Sequence, residues 1–209
     1  MPYPRAMELG RRERKKQQTR QAISAVATTL FLERGFDAVT VAEVARAADV
    51  AVQTVFNHFP AKEDLFFDES EWWQGPARAI RAAPADANPV DVLESTYLAE
   101  TRDRVNVGHL VTWKQFMRTI DNSPALLARR RLVAAELETS LTVALDDRDP
   151  DHLRNRLIAA LYAAAQKVLE ERLMQVLPDD PGPEQLTSAQ AELEQAVRQV
   201  FAVLRRGLG

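Results

Sequence analysis

Two amide side chains four residues apart, Gln53 and Asn57, stand beside Val52 and Thr54 in the run VQTVFNH. An amide offers a donor and an acceptor together, which matches N6 and N7 of adenine in a major groove, while valine and the threonine methyl suit the 5-methyl of thymine. If the segment is helical, the spacing puts both amides on one face. Thr40, His58 and Lys62 flank this run with a hydroxyl, an imidazole and an ammonium. The plainer alternatives are solvated polar side chains for the amides and a satisfied structural histidine at position 58. Catalytic and metal-binding sets are missing. There is no cysteine, and His58, His109 and His152 lie too far apart for metal-ligand spacing. No Gly-rich phosphate loop, nucleophile elbow or His-Glu metal motif occurs either, so neither an enzyme nor a cofactor is expected.

The elements that must carry these residues are legible around them. Thr40 and Glu43 have the spacing of a capping box, and Val39 and Val44 that of a hydrophobic staple, so a helix starts after Thr40. Val44, Ala48, Val50 and Val55 can close an apolar face between two short helices, with Ala45 allowing close approach. Asp49 falls at the bend, where a left-handed residue is needed and Asp is tolerated. A second helix is expected over 52–57, and two helices joined this way form a helix-turn-helix whose second member enters the major groove. Upstream, Ile23, Val26, Ala27, Leu30 and Phe31 mark one face of a helix ended by Gly35, after which Phe36 folds back on Phe31.

Arg5, Arg11, Arg12, Arg14, Lys15, Lys16 and Arg20 crowd the first twenty residues, although the whole chain of 209 residues carries a net charge of −3. Such a run supplies salt-sensitive DNA affinity through counterion release; the alternative is a solvated, disordered tail. A hydrophobic content of 46% is enough for a sizeable core. The start lacks the apolar core of a signal peptide, and no apolar run approaches the roughly 20 residues of a membrane span, so a cytoplasmic protein with no membrane partner is expected.

The run ERGFDAVTV followed by TVFNHFPAKEDL, together with Ile23 and Phe31, resembles the amino-terminal domain of the TetR family of bacterial repressors. The resemblance covers about the first third of the chain and implies an all-α protein. It also implies a three-helix DNA-binding domain with a helix-turn-helix, residues 1–66, followed by a helical-bundle domain, residues 67–209, that binds a small-molecule effector and dimerises. Thr40, His58 and Lys62 look like the family's phosphate-contact positions, which place a protein on DNA without reading its sequence. The chain departs from the family pattern at Asp49, where a glycine is usual, at Ala51, usually a capping Ser or Thr, and at Phe56, which lacks the usual hydroxyl.

Downstream, Asn88-Pro89, Ser123-Pro124 and Asp149-Pro150 read as caps followed by a first-turn proline. Helices are expected over 61–83, 89–107, 108–120, 124–146, 150–177 and 184–206, the first kinked or broken at Gly75-Pro76. Leu157, Ile158, Leu161, Ala164, Ala165 and Val168, with Leu186, Ala189, Leu193, Ala196, Val197, Val200 and Leu204, form stripes on the last two helices. Either these stripes cover the protein's own core or they make a four-helix homodimer interface, and the family resemblance favours the dimer. Trp72, Trp73, Tyr97, His109, Trp113, Phe116, Met117, Tyr162 and Gln166 place aromatic and polar groups on the helices that would surround an effector. Of these, Trp73, Tyr97, Trp113, Phe116, Met117, Tyr162 and Gln166 are the candidate ligand-binding set, although aromatics at helical spacing are commonly packing. Arg102 and Arg118 suit either an anionic ligand or a salt bridge. The segment SPALLARRRLVAAELETSL is similar to effector domains in the branch that includes mycofactocin-type regulators, which implies a sizeable apolar or acyl ligand. The expected activity is that of a ligand-released repressor on a palindromic operator; the alternative is an architectural or ligand-independent DNA-binding protein.

Overall fold

The structure, a computed structural model, describes the backbone of residues 5–68, 71–106, 109–179 and 181–208, without the side chains of 5–9, 11, 71–73, 104–106, 109 and 208. The side chains of Arg5, Arg11, Trp72, Trp73 and His109 thus lie outside the described residues. Every regular element described is an α-helix: α1 (Arg5–Arg34), α2 (Val41–Ala47), α3 (Val52–His58), α4 (Lys62–Phe66), α5 (Glu71–Ala82), α6 (Pro89–Asn106), α7 (His109–Asp121), α8 (Pro124–Asp146), α9 (His152–Val176) and α10 (Pro183–Leu208).

The chain forms two compact units. One comprises Met1–Glu69 with Thr119–Leu126, and the other Ser70–Arg118 with Leu127–Gly209. In the first, Ile23, Ala27 and Phe31 of α1 are fully buried, as are Val39, Val44 and Val55. α1 stops at Gly35, whose φ of 83° is open to glycine and strained for other residues. The chain reverses there, and the Phe36 ring lies 5.0 Å from Phe31 and 5.9 Å from Phe66. The turn after α7 belongs to this unit: Ser123 Oγ donates to Asp37 Oδ1 at 3.0 Å.

Three start and stop signals resolved differently from the sequence expectation. The helix expected over 61–83 is two helices, with α4 ending at Phe66 and α5 starting at Glu71, while Pro76 sits inside α5. The chain leaves α4 where Phe66 and Phe67 turn into the aromatic cluster, with their rings 5.5 Å apart. At α9 the cap is Asp151, which accepts from the Arg154 amide at 3.1 Å, whereas Asp149 accepts from the Asp151 amide at 3.0 Å and shapes the preceding turn. α1 begins at Arg5 and carries the basic run on its first turns, where a separate tail was the alternative.

In the second unit α10 packs along α6 and α9 through Ala189, Leu193, Val197 and Phe201, all buried. Ala189, Leu193 and Val197 of the expected stripe therefore cover the chain's own core, whereas Leu186, Ala196, Val200 and Leu204 are half-buried. The stripe's edges are pinned by a bidentate pair, Arg102 to Glu194 at 3.0 Å through both nitrogens, and by Arg205 bridging Asp91 and Glu94.

Candidate nucleic-acid interface

α2, the following turn and α3 are held by local chemistry. Thr40 Oγ1 accepts from the Glu43 amide at 3.2 Å, and Glu43 Oε2 accepts from the Thr40 amide at 2.9 Å, so each end of the box satisfies an otherwise orphaned donor. Arg34 donates to the other Glu43 oxygen at 2.7 Å, tying the end of α1 to the start of α2. The Thr40 amide first, then Arg34 and the Thr40 hydroxyl, lower the Glu43 pKa from 4.5 to about 2. At the other end of α2, Asp49 adopts φ 53°, the Val50 amide bonds the Ala45 carbonyl at 2.9 Å, and the Asp49 amide bonds Arg46 at 3.3 Å. This pair of bonds around a left-handed residue is a Schellman stop, which turns the chain sharply into α3.

α3 starts at Ala51 without a side-chain cap, as the missing Ser or Thr implies. Val55 is fully buried and fixes the roll of the helix. Val52, Gln53, Phe56 and Asn57 consequently line its exposed side, whereas Thr54 is half-buried. Gln53 Nε2 donates to Asn57 Oδ1 at 3.1 Å, so the two amides form one linked unit that leaves Gln53 Oε1 and Asn57 Nδ2 pointing away from their shared bond.

The other sequence candidates divide. Thr40 is exposed at the start of α2 and already serves as its cap. His58 is half-buried at the end of α3, with Nδ1 enclosed and without a hydrogen-bond partner among the described residues; burial first, then the charges of Arg20 and Lys16, lower its pKa. The Lys62 ammonium turns inward: it donates to the Phe36 carbonyl at 2.6 Å and sits 4.1 Å from the Phe36 ring centre, and desolvation lowers its pKa. Its positive charge is thereby used within the fold.

Arg20, read from sequence only as part of the basic run, holds α3 in place. Its guanidinium donates to the His58 carbonyl at 2.5 Å, pairs with buried Asp68, and stacks 4.3 Å from the Phe59 ring centre. Partners 38 and more residues away leave no local pattern to detect. Arg12, Arg14, Lys15 and Lys16 extend the exposed basic surface of α1 toward its start.

In the second unit Tyr97, Trp113, Met117, Tyr162 and Gln166 are buried and Phe116 is half-buried. Tyr162 packs between α9 and α10, 6.2 Å from the Phe201 ring, and accepts from Gln166 Nε2 at 3.4 Å. Trp113 is 9% exposed, and its Nε1–H has no hydrogen-bond partner among the described residues. Arg102 and Arg118 are salt-bridged, the latter to Asp179 at 2.6 Å. A cavity of about 220 Å³ among Ala85, Pro89, Leu145, Arg148, Asp149 and Asn155 contains none of the expected ligand residues. Its Arg148 already clamps the carbonyls of Ile80, Ala83, Pro84 and Ala87.

Residues 23–68 match the family model described as bacterial regulatory proteins, tetR family. The chain is 29% identical over 170 residues to the HTH-type transcriptional regulator TcmR of Streptomyces glaucescens, covering 77% of this chain and 75% of that protein. It is 41% identical over 58 residues to the HTH-type transcriptional regulator AcrR of Shigella flexneri, covering 28% of this chain and 26% of that one. Among solved structures, NalD of Pseudomonas aeruginosa, the secondary repressor of the MexAB-OprM multidrug efflux pump, superposes with a TM-score of 0.58 at 18% identity, covering 90% of this chain and 96% of that one. A putative TetR-family regulator from Rhodococcus sp. gives 0.51 at 20% identity, covering 88% and 99%. The structural likenesses establish the shared fold.

Proposed function

The chain belongs to the TetR family of DNA-binding transcriptional regulators, and from that premise we propose that it is a repressor that binds a palindromic operator as a homodimer and is released by a small, mostly apolar ligand. The observation that carries the reading is the α2–turn–α3 unit, which is closed by two independent caps and leaves an amide-bearing face of α3 exposed. We assign base reading to Gln53 and Asn57, with Val52 and Thr54 beside them. Thr40 and His58 take backbone positioning, and Lys62 supports them by fixing the loop at Phe36.

Residues 1–66 carry DNA binding in this proposal, and residues 67–209 carry effector binding and dimerisation. Support for the dimer comes from the outer side of α9, where Leu157 is 48% and Val168 is 53% exposed with Ala164 between them, a stripe its own chain leaves uncovered. Support for an effector comes from Trp113: a buried indole N–H without an acceptor among the described residues costs free energy that a ligand carbonyl or hydroxyl would recover. Phe116 and Met117 lie on the next turn of the same helix. The test is selection from random duplex DNA. An inverted repeat with half-site centres about 10 base pairs apart, or a multiple of that, is expected. Recovery of no consensus would instead favour an architectural protein that needs no operator.

A further inference from the structure

Val52 and Phe56 are anomalous for their unit. Among the described residues of the first unit, every other large apolar side chain is buried or half-buried, but Val52 is 41% exposed and Phe56 is 43% exposed. Both lie on α3, one turn apart, so they form a single apolar ridge along the helix. The Gln53–Asn57 amide pair forms a second ridge advanced by one residue, and Val55 on the opposite side is fully buried, which prevents the helix from rolling to hide the aromatic ring.

We propose that Phe56, with Val52, seats the 5-methyl group of a thymine in each half-site, on a base pair adjacent to the one contacted by the Gln53–Asn57 pair. The inference rests on the reading of α3 as the groove-entering helix. A phenylalanine has no hydroxyl to offer a phosphate, and leaving its ring in water is unfavourable, so its exposure is relieved only by an apolar partner. In the major groove, thymine's 5-methyl is the apolar group that base pairs present there, and it identifies T·A against the other pairs. Thr54, the residue otherwise suited to a methyl contact, is half-buried and lies on the far side of the amide pair from this ridge, so it does not present the ridge. The half-site therefore contains a thymine that is recognised by its methyl and flanked by a base read through hydrogen bonds.

The test replaces each thymine of the selected operator, one at a time, with uracil, which keeps every Watson–Crick and groove hydrogen-bonding group and loses only the methyl. One symmetric position should weaken binding about fourfold per half-site, the equivalent of roughly 0.8 kcal/mol for one buried methyl. In the Phe56→Ala protein the same uracil substitution should have no effect, while its far-UV circular dichroism and its cooperative thermal unfolding stay close to those of the parent and show that the variant is folded. Phe56→Leu, which keeps an apolar side chain, should retain part of the uracil penalty. A uracil scan without a sensitive position overturns the proposal, as does a penalty that persists in full in Phe56→Ala. Both results leave the operator-binding reading standing, whereas failure to select any operator would remove the two together.

Discussion

Replacing Arg20 with methionine tests whether α3 is held in place from α1. The guanidinium makes a charge-assisted hydrogen bond to the His58 carbonyl at 2.5 Å, a type of bond worth about 1.5–3 kcal/mol. It also neutralises Asp68, whose side chain is 8% exposed, and stripping a partner from a buried carboxylate costs about 3–5 kcal/mol. Stacking on Phe59 at 4.3 Å adds about 0.5–2 kcal/mol. One side chain supplies all three, so they overlap, and Arg20 is itself 34% exposed, which lets solvent screen the ion pair. A net local loss of about 3 kcal/mol follows, close to a hundredfold in an opening equilibrium. Native-state hydrogen exchange reads it directly. The Phe59 amide, bonded to Val55 at 2.8 Å, should lose about two orders of magnitude of protection, while buried positions of α10 such as Leu193 and Val197 keep theirs. Arg20→Lys keeps the charge without the planar fork and should recover less than half of the loss. A change in Phe59 protection of less than about threefold, roughly 0.6 kcal/mol, would refute the reasoning.

Glu43 has a folded pKa of about 2 against an ordinary value of 4.5, because the Thr40 amide, then Arg34 and the Thr40 hydroxyl, favour the carboxylate. Its contribution is therefore fully present above pH 4.5 and lost as pH falls toward 2; an NMR titration of its side-chain carbon with a midpoint near 4.5 would contradict this. At Asp49, φ 53° means that Asp49→Gly should be neutral or stabilising by up to about 1 kcal/mol, and Asp49→Val should cost about 1–2 kcal/mol or more in a denaturation experiment. Equal stability of the two variants would argue against the left-handed turn. Leu157→Glu combined with Val168→Glu places charges on the exposed stripe of α9 and should shift the protein from two chains to one in light scattering, with helix content unchanged; a persistent dimer would place the interface elsewhere.

What could be read from sequence was the chemistry that closes over a few residues. Thr40 and Glu43 are three positions apart, Asp49 sits where two short apolar faces must bend, and Gly35 follows the last apolar turn of α1, so each signal and its cause lie in one window. Long-range pairing had no such window. Arg20 looked like one more phosphate-directed cation because His58 and Asp68 are nowhere near it in the chain, and Lys62 looked like a phosphate contact because only the folded loop brings the Phe36 carbonyl within 2.6 Å. Apolar stripes were ambiguous for a different reason: the pattern on α10 is the same whether it meets its own α6 and α9 or a second copy, and the fold assigns Ala189, Leu193 and Val197 to the former. The break before α5 was misplaced because proline is a visible interruption, whereas the demand of Phe66 and Phe67 for a common aromatic cluster is a tertiary one. Phe56 was noted for the hydroxyl it lacks, and its exposure became informative only once Val55 had fixed which side of α3 faces out.

The most direct test of sequence-specific operator binding is the ratio of affinities for the selected inverted repeat and for a scrambled duplex of equal length, measured by fluorescence anisotropy at about 0.15 M salt. The expected ratio is about a thousandfold or more, with two chains bound per operator and a steep salt dependence common to both duplexes. Equal affinities for the two duplexes would contradict the central claim and leave a protein that binds DNA through its charge alone.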